Sequence, residues 1–278
     1  MFHQDGRCAS EAETIYVQRT TGCANGPAAG AGSAGAPFCT SQLGVDSVTP
    51  ERRVIVLRGP DPLTGMVVGN AGGPISVFGQ SNASVEPGAA GPGLRLTASE
   101  IYVRGVAIRR GSFEGVLVEN GVLRMHRCRI ENNAKGGVLV RGGGFDLANS
   151  IIVGNGPGET PGGAFWGGIA FTSNTASPAR VANSTIVNNE SAGIVCAAAL
   201  QSPTGLIVFG NRNTPAQIGS TCAATVCCTG DPMLDANYRL TAGSPCIDKL
   251  PANMSTVDDI DGEPRPKGAA SDCGADEF

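Results

Sequence analysis

Aromatic side chains make up only 5% of this 278-residue chain, with a single tryptophan, and there are only two histidines. A histidine-based mechanism must therefore use His3 or His126. Lysine is nearly absent: Lys135, Lys249 and Lys267 are the only ones, so the remaining cations are arginines. The net charge of −4 supplies no global attraction for a nucleic acid. No stretch approaches the roughly 18 consecutive apolar residues that would span a membrane. The nucleophile elbow GxSxG, the P-loop and the zinc motif HExxH are all missing. The opening Met1-Phe-His-Gln-Asp5 is polar, with no apolar core of a signal peptide. An export signal is therefore not visible in this chain. A trimmed or misassigned start accounts for this better than a cytosolic home, given the cysteines considered next.

What is abundant points to short strands and tight turns. Glycine (41 residues) and proline (18) are plentiful, and many of the 41% hydrophobic residues are Val, Ile and Leu. This mix does not suit a helical bundle. Ten cysteines are many for a reducing compartment, and eight of them lie near the two ends. Neither paired CxxC units nor a matching histidine spacing is present, so disulfides in a secreted or cell-surface protein are expected rather than a metal site. Their connectivity is not deducible from the spacing.

The chain repeats itself. Arg127-Cys-Arg-Ile-Glu-Asn-Asn133, Asn149-Ser-Ile-Ile-Val-Gly-Asn155 and Asn183-Ser-Thr-Ile-Val-Asn-Asn189 align, with weaker copies ending at Gly111 and Asn211. The end positions 111, 133, 155, 189 and 211 give steps of 22, 22, 34 and 22 residues. A Gly/Pro-rich insertion at 156–163 sits in the long step. A second marker, Gly115, Gly137, Gly168 and Gly193 each followed by apolar residues, keeps the same phase. The leucine-rich-repeat consensus and its helical return are missing. The remaining solution is an all-β solenoid, a right-handed parallel β-helix of about 22 residues per coil, stacked at about 4.8 Å.

The phase assigns faces through period-two alternation. Ile101 and Val103, Leu123 and Met125, and Phe145 and Leu147 should point inward. Ile108, Ile130, Ile152, Ile186 and Val208 should form a second interior column. Asn133, Asn155, Asn189 and Asn211 should stack at one turn and adopt the left-handed conformation there. Three segments follow: residues 1–50 with a strand and a short helical cap near 37–48, the β-helix at 51–215, and a Cys/Asp/Pro-rich cap at 216–278 closing the opposite end.

The run Asp231-Pro-Met-Leu-Asp-Ala-Asn-Tyr-Arg-Leu-Thr-Ala-Gly-Ser-Pro-Cys-Ile-Asp248, with Asp259-Ile-Asp-Gly-Glu-Pro-Arg-Pro266 and Asp272-Cys-Gly-Ala-Asp-Glu-Phe278, carries a family likeness. It resembles the closing segment of secreted bacterial right-handed β-helix repeat proteins of the pectin-lyase-like superfamily, of the choice-of-anchor type. The opening, from Ile15-Tyr-Val17 to Val54-Ile-Val-Leu57, is similar to the same group. The likeness covers nearly the whole chain and implies the fold. It leaves activity open, because that superfamily includes polysaccharide lyases, glycoside hydrolases, adhesins and surface proteins of unknown role.

Chemistry is sparse. The Asn-Thr-Asp, Asp-Asp, Gly-His-Gly and Arg-Ile-Lys motifs of a polygalacturonase-like hydrolase are absent, and carboxylates along the exposed columns are single rather than paired. A β-elimination lyase needs a base and a cation for the uronate carboxylate. The weak candidates are Arg124 and His126. Tyr102, Arg124, Asp146 and Arg180 fall in one outward column, with Arg104 and His126 beside it, and such a stripe suits an anionic polysaccharide. The competing reading is an ordinary solvated face. Trp166, in the insertion, is suited either to stacking on a sugar ring or to covering the core. Asp258, Asp259, Asp261 and Gly262 form an acidic run that offers oxygens to Ca²⁺, but the later Glu of an EF-hand is absent. The run is read first as structural, with Asp259 and Asp261 as weak metal candidates and no other cofactor expected. The expectation is a monomeric, non-catalytic, polysaccharide-binding or scaffolding protein, with a polysaccharide lyase or, less so, a glycoside hydrolase as the rival.

Overall fold

The computed structural model describes residues 8–89, 91–173, 178–201, 203–212, 217–224, 226–228 and 230–278. Strands too short to bury their apolar sides alone stack, coil upon coil, into three parallel sheets. The first sheet runs from Thr14–Gln18 through Val54–Arg58, Ile75–Gln80, Glu100–Arg104, Val122–His126 and Gly144–Ala148 to Ala179–Ala182. The second stacks Ser84–Val85, Ala107–Arg109, Arg129–Glu131, Ile151–Val153, Thr185–Val187 and Ile207–Phe209. The third contains Met66–Val68, Leu94–Leu96, Val116–Val118, Val138–Val140, Phe165–Phe171 and Ala192–Cys196. Leu123 pairs with Ile101 below and Phe145 above, and Ile130 with Ile108 and Ile152, so the 22-residue phase holds residue by residue. Every member of both expected interior columns is buried in one continuous core. Each such side chain contributes roughly 1.5–3 kcal/mol of transfer free energy.

The long coil is explained by a hairpin. Val138 pairs with Ile169, 31 residues on, where Val116 and Val138 are 22 apart. Within the excursion, Gly158–Glu159 turns back antiparallel on Phe165 and Trp166, extending the third sheet. Trp166 is fully buried with Leu117, Leu139 and Ala170. Of its two readings, the structure therefore supports the cover over apolar residues and removes the surface sugar platform.

The asparagine ladder forms as a buried chain. Asn155 Oδ1 accepts from Asn133 N (3.0 Å) and Nδ2 (2.9 Å), and Asn155 N and Nδ2 donate to Asn189 Oδ1 (3.0 and 2.9 Å). Gly111 N starts the ladder by donating to Asn133, and Gln217 ends it with its amide on Asn211. One expectation is corrected: the left-handed conformation belongs to the residue before each ladder asparagine. Arg110, Asn132, Gly154, Asn188 and Gly210 have φ of 57°, 56°, 65°, 53° and 64°. The ladder side chains point inward, whereas the tight bend is made one residue earlier.

The two ends are closed differently. Near the start, the short helix Ser41–Asp46, capped by Thr40, packs Leu43, Gly44 and Val45 over the first coil. Phe38 pairs with the open edge of Thr14–Gln18. At the far end, Ile218 and Val226 bridge the last strands and complete the closure. The Cys-rich segment expected to cap that end does something else from Cys227 onward. It folds back along the flank as an arm, and its Leu240, Cys246, Ile260, Cys273 and Ala275 cover the outward Ile151, Val153, Val187 and Ile207 of the second sheet. A flank with those four apolar side chains exposed would be poorly soluble, so the arm has a physical reason to lie there. Among the described residues no helix is long and apolar enough to cross a membrane.

Four disulfides form: Cys23–Cys39, Cys196–Cys222, Cys227–Cys273 and Cys228–Cys246. Cys8 is an exposed thiol and Cys128 a fully buried one. Alkylation of the native, unreduced protein should therefore label one cysteine by mass spectrometry, and alkylation after denaturation without reductant should label two. Four or more labelled sites would contradict the pairing. Asn155→Ala strips partners from two buried neighbours and should lower unfolding free energy by about 2–4 kcal/mol in urea titration.

Candidate functional site

The outward column foreseen from the period is present. Tyr102, Arg124, Asp146 and Arg180 stand in register on the first sheet, with Arg104 and His126 in the adjacent column. The surroundings divide this stripe in two. Arg124 pairs with Glu100, and Arg180 Nη1 lies 3.4 Å from Asp146. These four side chains are partly exposed, with Arg124 and Arg180 at 39% and 38%. Arg124, Asp146 and Arg180 form an open row of alternating charge across successive coils, with Glu100 to one side of it. Screened pairs of this kind contribute at most about 1 kcal/mol each. Below the row, Val54, Val56, Tyr16 and Phe78 face outward but are buried, with Ala9, Ala34 and Tyr102 packed on them.

The other half of the stripe is a lock. Arg127 and Asp258 form an ion pair; Arg104 Nη2 lies 3.6 Å from the same carboxylate and His126 Nε2 3.3 Å from it. Asn149 Nδ2 donates to the Asp258 carbonyl (2.7 Å), to its Oδ1 (3.0 Å) and to His126 Nε2 (2.8 Å). With Nε2 accepting, the neutral imidazole carries its proton on Nδ1, 3.3 Å from the Tyr102 hydroxyl. Burial pushes the His126 pKa down to about 4, helped by Arg104 and Arg127 and opposed by Asp258. His126 therefore lies beside the arm, accepting from Asn149, with only 18% of its side chain exposed. Burial likewise raises the Tyr102 pKa, keeping the phenol protonated.

The turn between the first and second sheets is the rail on which the arm rests. Its residues Gly105, Arg127, Asn149, Asn183 and Gly205 all have positive φ, from 40° to 70°. Arg127 reaches Asp258, Asn149 Oδ1 accepts from Thr256 Oγ1, and Asn183 Oδ1 accepts from Thr256 N. Gly205 O accepts from Gly274 N. Glycine and asparagine tolerate this backbone; Arg127 does so at a cost. Gly262, itself at φ 93°, lets the arm approach, since a Cβ there would collide with the Arg127 guanidinium.

Asp259, Asp261 and Asp276 each bring an oxygen within 4.8 Å of the others, a set with the chemistry to attract a cation. Arg239 already lies among them, Nη2 2.7 Å from Asp261 and Nε 3.7 Å from Asp276. Asp259 Oδ1 accepts the N–H groups of Asp261, Gly262 and Glu263, and Oδ2 that of Glu277. A guanidinium and four peptide N–H groups thus supply positive potential to these carboxylates. His3 lies outside the described residues.

The sequence pattern singled out Arg104, His126 and the acidic run separately and did not bring them together, as the structure does at Asp258. It passed over Asn149 and the pairing of Arg127. One signal was available: at the repeat position held by Gly or Asn in four coils, Arg127 is the exception.

In comparisons with known proteins, residues 64–204, half of the 278-residue chain, match the family model described as right handed beta helix region. No curated protein and no solved structure matches.

The depressed His126 pKa has a definite sign. The unfolded chain takes up a proton near pH 6.5 and the folded one near 4, so this contribution is complete above pH 6.5 and lost as pH falls to 4. Its size is on the order of 3 kcal/mol. Asp276, raised to about 6 by burial, acts oppositely and gains stability as pH falls. The two are separated by comparing wild type with His126→Gln in urea titrations at pH 7, 5.5 and 4. The variant should lose less stability over this range. Parallel curves would refute the assignment.

Proposed function

We propose that this chain, which belongs to the family of right-handed β-helix regions, is a secreted or cell-surface, non-catalytic solenoid. In this reading it is a monomer that recognises or scaffolds extracellular polysaccharide along the outer face of its first sheet. The carrying observation is the open row of Arg124, Asp146 and Arg180, which repeats polar side chains at the coil spacing of about 4.8 Å, with Glu100 beside it two residues out of register. A guanidinium has five N–H donors in a planar fork, and an ion pair engages only part of it. Two such forks, two coils apart with Asp146 between them, suit a regular, hydroxyl-rich polymer. Four disulfides support the extracellular setting. The non-catalytic half rests on His126, which is largely buried and engaged by Asn149 beside the arm. A lyase mechanism would have to pull it from Asn149 and out from under the arm.

Affinity electrophoresis through gels containing acidic or neutral polysaccharides tests the reading. Retardation by at least one polymer is expected, weakened tenfold or more in an Arg124→Ala/Arg180→Ala double variant, with no rise in ultraviolet absorbance from unsaturated product. Product formation that disappears in His126→Ala would replace the binding protein with a lyase. Unretarded migration in every gel would leave a stalk without a sugar ligand.

A further inference from the structure

The open row and its neighbour Glu100 balance their own charge. Arg124 pairs with Glu100 and Arg180 with Asp146, so each guanidinium has a carboxylate beside it. The adjacent column adds little to this. Asp258 lies against both Arg104 and Arg127, and His126, its pKa lowered to about 4 by burial, is neutral at pH 7. An aromatic ring stands in register at one end of the row. Tyr102 pairs with Arg124 on the next coil, and its ring meets Phe78 edge to face, with 6.0 Å between centroids. Tyr102 is half-buried, and Val122, also half-buried, precedes Arg124 by two residues on the same strand. Tyr102 and Arg180 are three coil steps apart, about 14 Å.

We propose that the ligand of this face is an uncharged, hydroxyl-rich polysaccharide, in place of the anionic polymer that the arginines alone suggest. The inference rests on the polysaccharide reading above and names its substrate class. A sugar hydroxyl both donates and accepts a hydrogen bond, whereas a guanidinium only donates and a carboxylate only accepts. A run of hydroxyls therefore finds a match at every side chain of an alternating row. A uronate or sulfate group is acceptor-only. It would satisfy Arg124 or Arg180 while confronting Glu100 or Asp146, acceptors of its own sign already paired there. Like charge set in this way rejects the wrong partner. Nor does a balanced row project the cationic field that draws a polyanion in. The Tyr102 ring and the Val122 side chain add carbon surface suited to the C–H face of a sugar ring.

Affinity electrophoresis separates the two ligand chemistries. The probes are galactomannan and mixed-linkage β-glucan as neutral polymers, and polygalacturonate and dextran sulfate as polyanions, each compared with a polymer-free gel. At least one neutral polymer should bind about tenfold more tightly than either polyanion. Its retardation should change less than about twofold between about 20 and 200 mM sodium chloride, because no ion pair forms across the interface. Asp146→Asn removes the carboxylate beside Arg180, and Glu100→Gln does the same beside Arg124. Each should weaken the neutral polymer about fivefold and strengthen polygalacturonate. Simple damage to the fold would not produce opposite shifts. Stronger, salt-sensitive retardation by a polyanion overturns the inference, as do parallel shifts of both polymer classes in both variants. In either case the face still binds polysaccharide and the reading above stands. Unretarded migration in all four gels removes that reading and this inference with it.

Discussion

Every coil must advance the chain by the same distance and return each side chain to the same face, because the backbone of one coil is the hydrogen-bonding surface of the next. The buried asparagines at 133, 155, 189 and 211 enforce this. Each amide bonds the next rung and also a carbonyl of a neighbouring coil, such as Ile108 O or Ile130 O. An extra residue within a coil would break both sets at once. Insertions are therefore tolerated only outside the stack, as in the hairpin around Gly158–Glu159. The isoleucine columns, the sheet register and the exposed row all follow from that fixed advance.

The same constraint decides what could be read from the chain. Ile130 and Ile152 lie one period apart, so their contact is written in the repeat, as are the neighbours of Arg124 and His126. The arm obeys no period. Asp258 meets Arg127 across 131 residues of chain, and the pairing depends on a reversal after Val226 that leaves no local mark. Its apolar cover over Ile151, Val153, Val187 and Ile207 was equally hidden, because a strand with both faces buried shows no alternation. Trp166 was ambiguous for a related reason: a lone aromatic in a Gly-rich loop has no phase to assign its side.

Electrostatically, the arm changes the character of the face it borders. A stripe of arginines that looks cationic in sequence is largely matched in three dimensions, by Glu86 and Glu131 beside Arg109, by Glu100 beside Arg124, and by Asp258 beside Arg104 and Arg127. Within the arm, Arg265 and Glu277 are buried together, with Arg265 also donating to the carbonyls of Asp272 and Gly274. Burial lowers the Arg265 pKa, against the opposing pull of the surrounding carboxylates. The arm is thus a polar-cored element whose apolar side is spent on the solenoid.

The Cys227–Cys273 bridge also sets the mechanics of the molecule. Tension applied at Phe278 reaches Cys273 after five residues, crosses the sulfur bridge to Cys227, and enters the last coil at Val226. The covalent load path skips the loop between the two cysteines. Asp258, which locks the arm to Arg127, lies in that skipped loop, outside the covalent path while the coils carry the load.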